Sequence, residues 1–210
     1  MARPKDQQAR RESIRSAVLQ ALAQRGVAGV RLKDIAEEAG LSSSTVLYYY
    51  PDMAALLLEV LQAAMDRFFE RRRLAVGGIE DARERLLATI AAGLPTGADD
   101  TGVRLAWDAI AIELHNPTLA EFDRLYVERQ VDLYERVLEL GVAQGHFSLV
   151  NDPRAIATNL IALEDYHGLR VVLGWTSVDE ATQLIVEYAM LATRSELLTA
   201  SQTAQVPERA

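Results

Sequence analysis

The sequence predicts an all-α fold of about nine helices, arranged as a small amino-terminal head of three helices and a larger helical body. Three observations carry the prediction. Apolar residues recur three and four positions apart through most of the chain, the spacing that gathers them on one face of a helix. Gly, Pro and Ser, Asp or Thr capping residues interrupt these stretches where helices would have to end and restart. No stretch shows convincing strand alternation, and there is no internal repeat or low-complexity tract.

Residues 1–6 read as a mobile arm. From about Gln7 to Arg25, Ile14, Ala17, Val18, Ala21 and Leu22 share one face, and Gly26 supplies the stop. Leu32 to Ala39 is a second helix with Ile35, Ala36 and Ala39 inward. Gly40 permits the left-handed backbone of a tight turn, and Leu41 plugs the small core beneath it. Ser42 caps a third helix, Ser43 to about Tyr49. Pro51 ends it, because the proline ring disfavours helix at the residue before. Asp52 caps a long fourth helix whose Met53, Leu56, Leu57, Val60, Leu61, Ala64, Met65 and Phe68 form one continuous stripe. Gly77-Gly78 breaks it.

A fifth helix covers about Ile79 to Ala92, and Gly93 to Gly102 is the most loop-like interior stretch. A sixth runs from about Val103 to His115. Asn116-Pro117 breaks it, and Thr118 with Glu121 reads as a capping box for a seventh helix to about Ala143. The chain turns at Gly145 to Val150. Asp152-Pro153 starts an eighth helix reaching about Leu173. Gly174-Trp175 breaks again, and Ser177 with Glu180 opens a ninth helix to about Leu198. The predicted division is a head over residues 1–51, a body over 52–198 and a flexible polar tail over 199–210.

Composition bounds the function. The chain has 210 residues, half of them hydrophobic, which suffices for a sizeable core. There is no run of about 18 apolar residues, so no membrane span is expected. The amino terminus, MARPKDQQARRES, lacks the apolar segment of a secretory signal. Cysteine is absent, which excludes disulfides and thiolate metal sites and fits a reducing cytoplasm. Net charge is −8, yet residues 1–50 hold eight Lys/Arg against five Asp/Glu, and the acidic excess lies beyond them. A basic end on an acidic body can orient a protein on a polyanion, since the attraction is local; ordinary scatter gives the same imbalance. There is no phosphate-binding glycine loop and no zinc-helix motif, and His115, His146 and His167 are scattered. No catalytic residue, cofactor or metal site is predicted.

The segment LKDIAEEAGLSSSTVLYYYPDMAALL at 32–57 has the pattern of a helix-turn-helix, whose second helix enters the DNA major groove. Ser42, Ser43, Ser44, Thr45, Tyr48 and Tyr49 are the candidate contacts, since hydroxyls meet phosphate or base edges and methyls meet thymine. Arg31 and Lys33 at the start of the second helix, with Arg3, Lys5, Arg10 and Arg11 nearer the arm, are the candidate phosphate grips. Arg10 and Arg11 fit a solvated helix face equally well. Three consecutive tyrosines cannot all face one way; the spacing places Tyr50 inward and Tyr48 and Tyr49 outward.

These residues resemble the amino-terminal domain of the tetracycline-repressor (TetR) family of bacterial regulators. The match rests on Gly26, on DIAEEAGLS at 34–42, on Thr45, on Tyr48-Tyr49-Tyr50 and on Leu56-Leu57. The chain departs from the family pattern at three places: Arg31 where Thr is usual, Leu47 where Tyr is usual and Met53 where Lys is usual. The last two positions commonly touch phosphate in relatives, so the detailed contacts here would be lost or moved to Tyr48, Tyr49 and Arg31.

The resemblance implies a homodimer on a near-palindromic double-stranded operator, released by a small-molecule effector. Ile156, Leu160 and Leu163 on the eighth helix, with Leu184, Ile185 and Tyr188 on the ninth, could form a four-helix interface with a partner copy; the same faces could equally serve the protomer's own core. Leu169, Val172 and Leu191 extend them. The stretch ALEDYHGLRVVLG at 162–174 also resembles the betaine-regulator type within the family. Candidate walls for an effector site are Met65, Phe68, Leu87, Ile90, Trp107, Ile110, Ala111, Leu114, Phe122 and Tyr126, with Glu164 and His167 as orienting polar groups. Glu113, His115 and Asp165 are further polar candidates. Carboxylates among aromatic rings would favour a cationic effector; plain core and a solvated acidic surface are the competing readings. The expected function is a ligand-responsive transcriptional regulator, most simply a repressor. The alternative is a DNA-binding adaptor controlled by a protein partner.

Overall fold

The computed structural model describes residues 4–100, 102–104, 107, 110 and 116–196. Among these, all regular structure is helical. The helices are α1 (Pro4–Gly29), α2 (Leu32–Glu38), α3 (Ser43–Tyr49), α4 (Met53–Val76), α5 (Ala82–Gly93), α6 (Pro117–Ala143), α7 (Pro153–Val172) and α8 (Val178–Thr193). Gly26 has φ 67° and breaks α1 where the sequence places its end; only glycine takes that conformation without steric penalty. Of the predicted sixth helix, residues 102–104, 107 and 110 are helical. Glu113, His115, Ala111, Leu114, Arg3 and the tail from 199 lie outside the described residues.

The first helix starts at Pro4, inside the stretch expected to be an arm, where proline suits a first helical position; three further element ends differ from expectation, each for a local reason. The fifth helix starts at Ala82 rather than Ile79, because Asp81 is its cap and accepts from the Arg83 amide at 2.8 Å. The cap of α6 is Asn116, whose Oδ1 accepts from the amides of Thr118 (3.1 Å) and Leu119 (3.2 Å), so Thr118 is already inside the helix. The last helix stops at Thr193 and not Leu198. There the amides of Ser148 and Val150 donate to the carbonyls of Thr193 (2.8 Å) and Ala192 (3.0 Å), and Arg194 adopts a left-handed conformation. A neighbouring loop, rather than a glycine, satisfies the final carbonyls.

Two compact units are present. The first comprises residues 1–67 with 101–123. Its core joins Ile14, Val18, Ala21 and Leu22 of α1, Ile35 and Ala36 of α2, Val46 of α3, Tyr50, Leu56, Val60 and Leu61 of α4, and Leu119. The first half of α4 thus belongs to the head's own core, and the unit boundary falls at Arg67, inside that helix. Arg15 fastens α1 to α4 through Glu59 at 2.5 Å, and also bonds Glu12.

The second unit comprises residues 68–100 with 124–210. Its core runs from Leu86 and Ile90 of α5 through Val131, Tyr134 and Leu138 of α6 and Ile156 and Leu160 of α7 to Ile185 and Ala189 of α8. The start of α5 is tied to the end of α6 by Gln144, which accepts from the Ala82 amide (2.9 Å) and donates to the Glu80 carbonyl (2.8 Å). Arg154 at the start of α7 gathers Glu128, Asp132 and Glu135 from one face of α6. None of the described helices is long and apolar enough to cross a membrane.

Candidate functional site

In the head, α1, α2 and α3 are set around one small core, and the turn between α2 and α3 fixes what the third helix presents. Gly40 sits at φ 62°, a conformation that costs any other L-residue about 1 kcal/mol or more. The Leu41 amide donates back to the Ala36 carbonyl at 2.8 Å, closing the turn. Ser42 then caps α3: its Oγ accepts from the Thr45 amide at 3.1 Å. Val46 and Tyr50 point into the core. Ser44, Leu47 and Tyr48 therefore emerge on the opposite side, with Tyr48 73% exposed.

The candidate DNA contacts separate into groups. Ser44 and Tyr48 are exposed, as are Arg31 at the cap of α2 and Lys33 on that helix. Ser43, Thr45 and Tyr49 are half-buried. Ser42 is exposed, but its hydroxyl is engaged with Ser44 Oγ (2.9 Å) and Thr45 Oγ1 (2.8 Å) besides the cap. Tyr49 packs against the head core and meets Tyr48 edge to face, 5.2 Å between ring centroids. Tyr50 is the inward member of the run, and the Arg11 guanidinium lies 5.1 Å from its ring centroid. Arg31 holds the cap position of α2 but has no acceptor; Asp34 supplies it, taking the Arg31 amide at 2.9 Å and pairing with Arg25 at 3.3 Å. At the two other departures, Leu47 is exposed and Met53 is half-buried against the head core.

The second unit contains a feature the sequence did not disclose. Arg72 of α4 is 1% exposed. Its Nη2 donates to Glu164 Oε1 (2.6 Å) and to the Thr89 carbonyl (2.9 Å), and its Nη1 donates to Gln130 Oε1 (2.9 Å). The Tyr134 hydroxyl also donates to Glu164, and the Tyr134 ring lies 4.9 Å from the Arg72 guanidinium. Gln130 in turn donates to the Tyr126 hydroxyl at 2.8 Å. Burial pushes the Glu164 carboxyl up, and the adjacent Arg72 charge and Tyr134 hydroxyl pull it back. Burial pushes the Tyr126 phenol up to about 12. Gly93 faces this carboxylate so closely that a Cβ there would lie 2.1 Å from Glu164 Oε1.

The network brings together Tyr126 and Glu164 of the predicted effector residues, and Leu87 packs against the same unit's core. Ile90 is fully buried in the core of the second unit. Phe68 is half-buried beneath the Arg71 guanidinium, 5.2 Å away. His167 is half-buried with its Nδ1 unbonded, and burial holds the imidazole below its usual pKa. Met65 and Phe122 belong to the first unit, Met65 buried and Phe122 half-buried. Trp107 is half-buried and Ile110 is exposed. Glu164 is not a free carboxylate, because Arg72 already neutralises it. An open groove of the second unit, lined by Glu139, Val142, Phe147, Leu149 and Pro153 among others, includes none of the predicted effector residues.

The interface residues also divide. Ile156, Leu160 and Ile185 are buried in the protomer's own core, and Leu163 and Tyr188 pack partly against it. Leu184 is 43% exposed, and Leu191, Leu173, Tyr166 and Trp175 are the other large exposed groups on or beside α7 and α8. Periodicity alone does not say which apolar residues of these helices serve the protomer's own core and which are left outward.

Comparison with known proteins agrees with the geometry of the head. Residues 14–60 match the family described as bacterial regulatory proteins, tetR family. The HTH-type transcriptional regulator RutR of Escherichia coli is 43% identical over 58 residues, 28% of this chain and 27% of that protein. The HTH-type transcriptional regulator BetI of Burkholderia cenocepacia is 26% identical over 122 residues, 57% of this chain and 63% of that protein. The chain thus spans about a quarter of the first relative and under two thirds of the second. A crystal structure of a putative transcriptional regulator from Saccharomonospora viridis in complex with choline is similar over 85% of this chain and 94% of that one, with a TM-score of 0.78 and 29% identity. The capped third helix, the glycine turn and the match over residues 14–60 make the head similar to that of tetR-family bacterial regulatory proteins, and the fold of the chain is similar to that of a transcriptional regulator.

Proposed function

We propose that the chain is a ligand-responsive repressor that binds a near-palindromic operator as a homodimer and leaves it when a small-molecule effector binds. One observation carries the DNA-binding part: α3 is held rigidly by its cap and core while Ser44 and Tyr48 stand clear of it, with Arg31 and Lys33 accessible on the preceding helix. That arrangement offers base-edge and phosphate contacts from one surface. Action on DNA would place the protein in the cytoplasm and calls for no catalytic step. The head function rests on residues 1–51, supported by the first half of α4.

For the effector we propose an organic cation. The choline complex of the Saccharomonospora viridis protein supports this class, as do Tyr134, whose hydroxyl is on Glu164, and Tyr126, joined to the same network through Gln130. Because Arg72 already holds Glu164, a cation reaching that carboxylate would compete with the guanidinium. Effector binding would then favour a body conformation in which the Arg72–Glu164 pair is altered, and the operator is released by population shift. α4 carries both Arg72 and the head-core residues Leu56 and Val60, so it is the proposed lever. For dimerisation we propose the exposed apolar residues of α7 and α8, Leu184 among them.

The test is a mobility-shift titration of the full chain on the region upstream of its own gene, repeated with choline, glycine betaine and a neutral lipophile. A retarded band at low salt that cations dissolve supports both parts. No band counts against DNA binding, and release by the neutral compound alone counts against the cation.

A further inference from the structure

The composition of α3 restricts how it can read a base pair. The helix is SSTVLYY and contains no Arg, Lys, Asn, Gln, Asp or Glu. Those are the side chains that form two-point hydrogen bonds with guanine or adenine, or accept from the cytosine amine. Its hydroxyls are partly committed, since Ser44 Oγ (2.9 Å) and Thr45 Oγ1 (2.8 Å) each bond the hydroxyl of the cap residue Ser42. Tyr48 is steered by its edge-to-face contact with Tyr49.

Leu47 differs from these: where a tyrosine is usual in relatives, its side chain has no donor or acceptor, so it can bond neither phosphate nor a polar base edge and can offer only apolar contact. It is 38% exposed, flanking the Ser44–Tyr48 face, on a helix whose core positions are already filled by Val46 and Tyr50. A single exposed leucine is unremarkable on an ordinary surface. On the face that would enter a major groove it meets a wall that is polar except for one apolar feature, the 5-methyl group of thymine.

We infer that Leu47 is a specificity-determining residue of this head and reads thymine through its 5-methyl group, so that the position it faces is selected as an A·T pair by apolar contact. The inference rests on the proposed DNA binding and names what that surface recognises.

The experiment starts from a randomised duplex library, so the operator sequence need not be known. Full-length chain selects duplexes from the library, and the enriched site is resynthesised with deoxyuridine replacing thymidine at one position at a time. Affinity is read by fluorescence anisotropy at fixed salt. The expected result is an A·T-rich centre to each half-site, with one or two thymines where loss of the methyl weakens binding about fourfold, the loss expected when one such group leaves an apolar contact. In Leu47→Ala the same duplexes lose that discrimination, thymidine and deoxyuridine sites binding alike. Deoxyuridine without effect at every position overturns the inference in the unmodified chain, whether or not the variant folds. Full discrimination retained by Leu47→Ala also overturns it, as does an enriched site with only G·C pairs facing α3. If no duplex is enriched, the DNA-binding proposal fails and takes this inference with it, a result distinct from tight binding indifferent to the methyl.

Discussion

Replacing either partner of the Arg72–Glu164 pair tests the polar centre of the second unit. Both side chains are buried, 1% and 5% exposed, so removing one leaves the other without its counter-charge in a medium that solvates it poorly. Such single removals typically cost about 3–5 kcal/mol. The two directions are not equivalent. In Arg72→Met, Glu164 can take up a proton, and burial already pushes its carboxyl up, so part of the loss is recovered at acid pH. In Glu164→Leu, the guanidinium cannot deprotonate and keeps only Gln130 and the Thr89 carbonyl as hydrogen-bond partners. Glu164→Leu is therefore expected to be the worse variant at pH 5 and Arg72→Met to approach it only at higher pH. At about 2–4 °C per kcal/mol for a chain of this size, the thermal midpoint falls by roughly 6–20 °C. The double variant Arg72→Met/Glu164→Leu is expected to lose less than the sum, because no charge is stranded. The assay is thermal and urea unfolding at one fixed protein concentration, since association shifts apparent stability. Single variants within about 1 kcal/mol of the parent, or a double variant that loses the full sum, would show that the two charges do not depend on each other.

Further expectations follow from neighbouring geometry. Gly93→Ala, at the last residue of α5, should lower the midpoint, because the new Cβ would lie 2.1 Å from Glu164 Oε1 and push the carboxylate off Arg72; a raised midpoint would show that the carboxylate moves freely. Asp81 caps α5, and the Arg83 guanidinium and amide hold its carboxyl below the usual range. Its contribution is present above the ordinary Asp pKa near 4 and is lost as pH falls below it. Asp81→Ala should cost about 1 kcal/mol at pH 7 and flatten the acid limb of the stability profile, whereas Asp81→Asn should keep the cap and lose only the pH dependence. Ser42→Ala removes the α3 cap, and should cost about 1 kcal/mol together with operator affinity, measured by unfolding and by anisotropy.

Much of the head is legible in its sequence because its determinants are local. Gly40, Ser42 and Tyr50 act within a few residues of themselves, through a turn, a cap and a helix face, and the structure places them accordingly. Asp34 is less legible: its acceptor role at the start of α2 follows from a capping-box spacing, but its pairing with Arg25 needs the folded head. The second unit yields less. Arg72 lies in the run Arg71-Arg72-Arg73, which reads as a solvated face. Its burial depends on Glu164, 92 residues away, and on Gln130, 58 residues away. Glu164 is recognisable as a polar residue on an apolar helix, but nothing local says that its charge is already met. Ile156, Leu160 and Ile185 are indistinguishable from interface residues for a related reason: which apolar residues of α7 and α8 turn inward is decided by tertiary packing.

Whether α3 meets DNA through its outward face is decided by comparing the parent chain with Tyr48→Ala on a duplex the parent binds. Tyr48 is 73% exposed and lies outside the head core, so its removal should leave the unfolding midpoint within a degree or two. A tenfold or greater loss of affinity is expected from that single change. Unchanged affinity in the variant, alongside tight binding by the parent, would mean that DNA is met by some other surface.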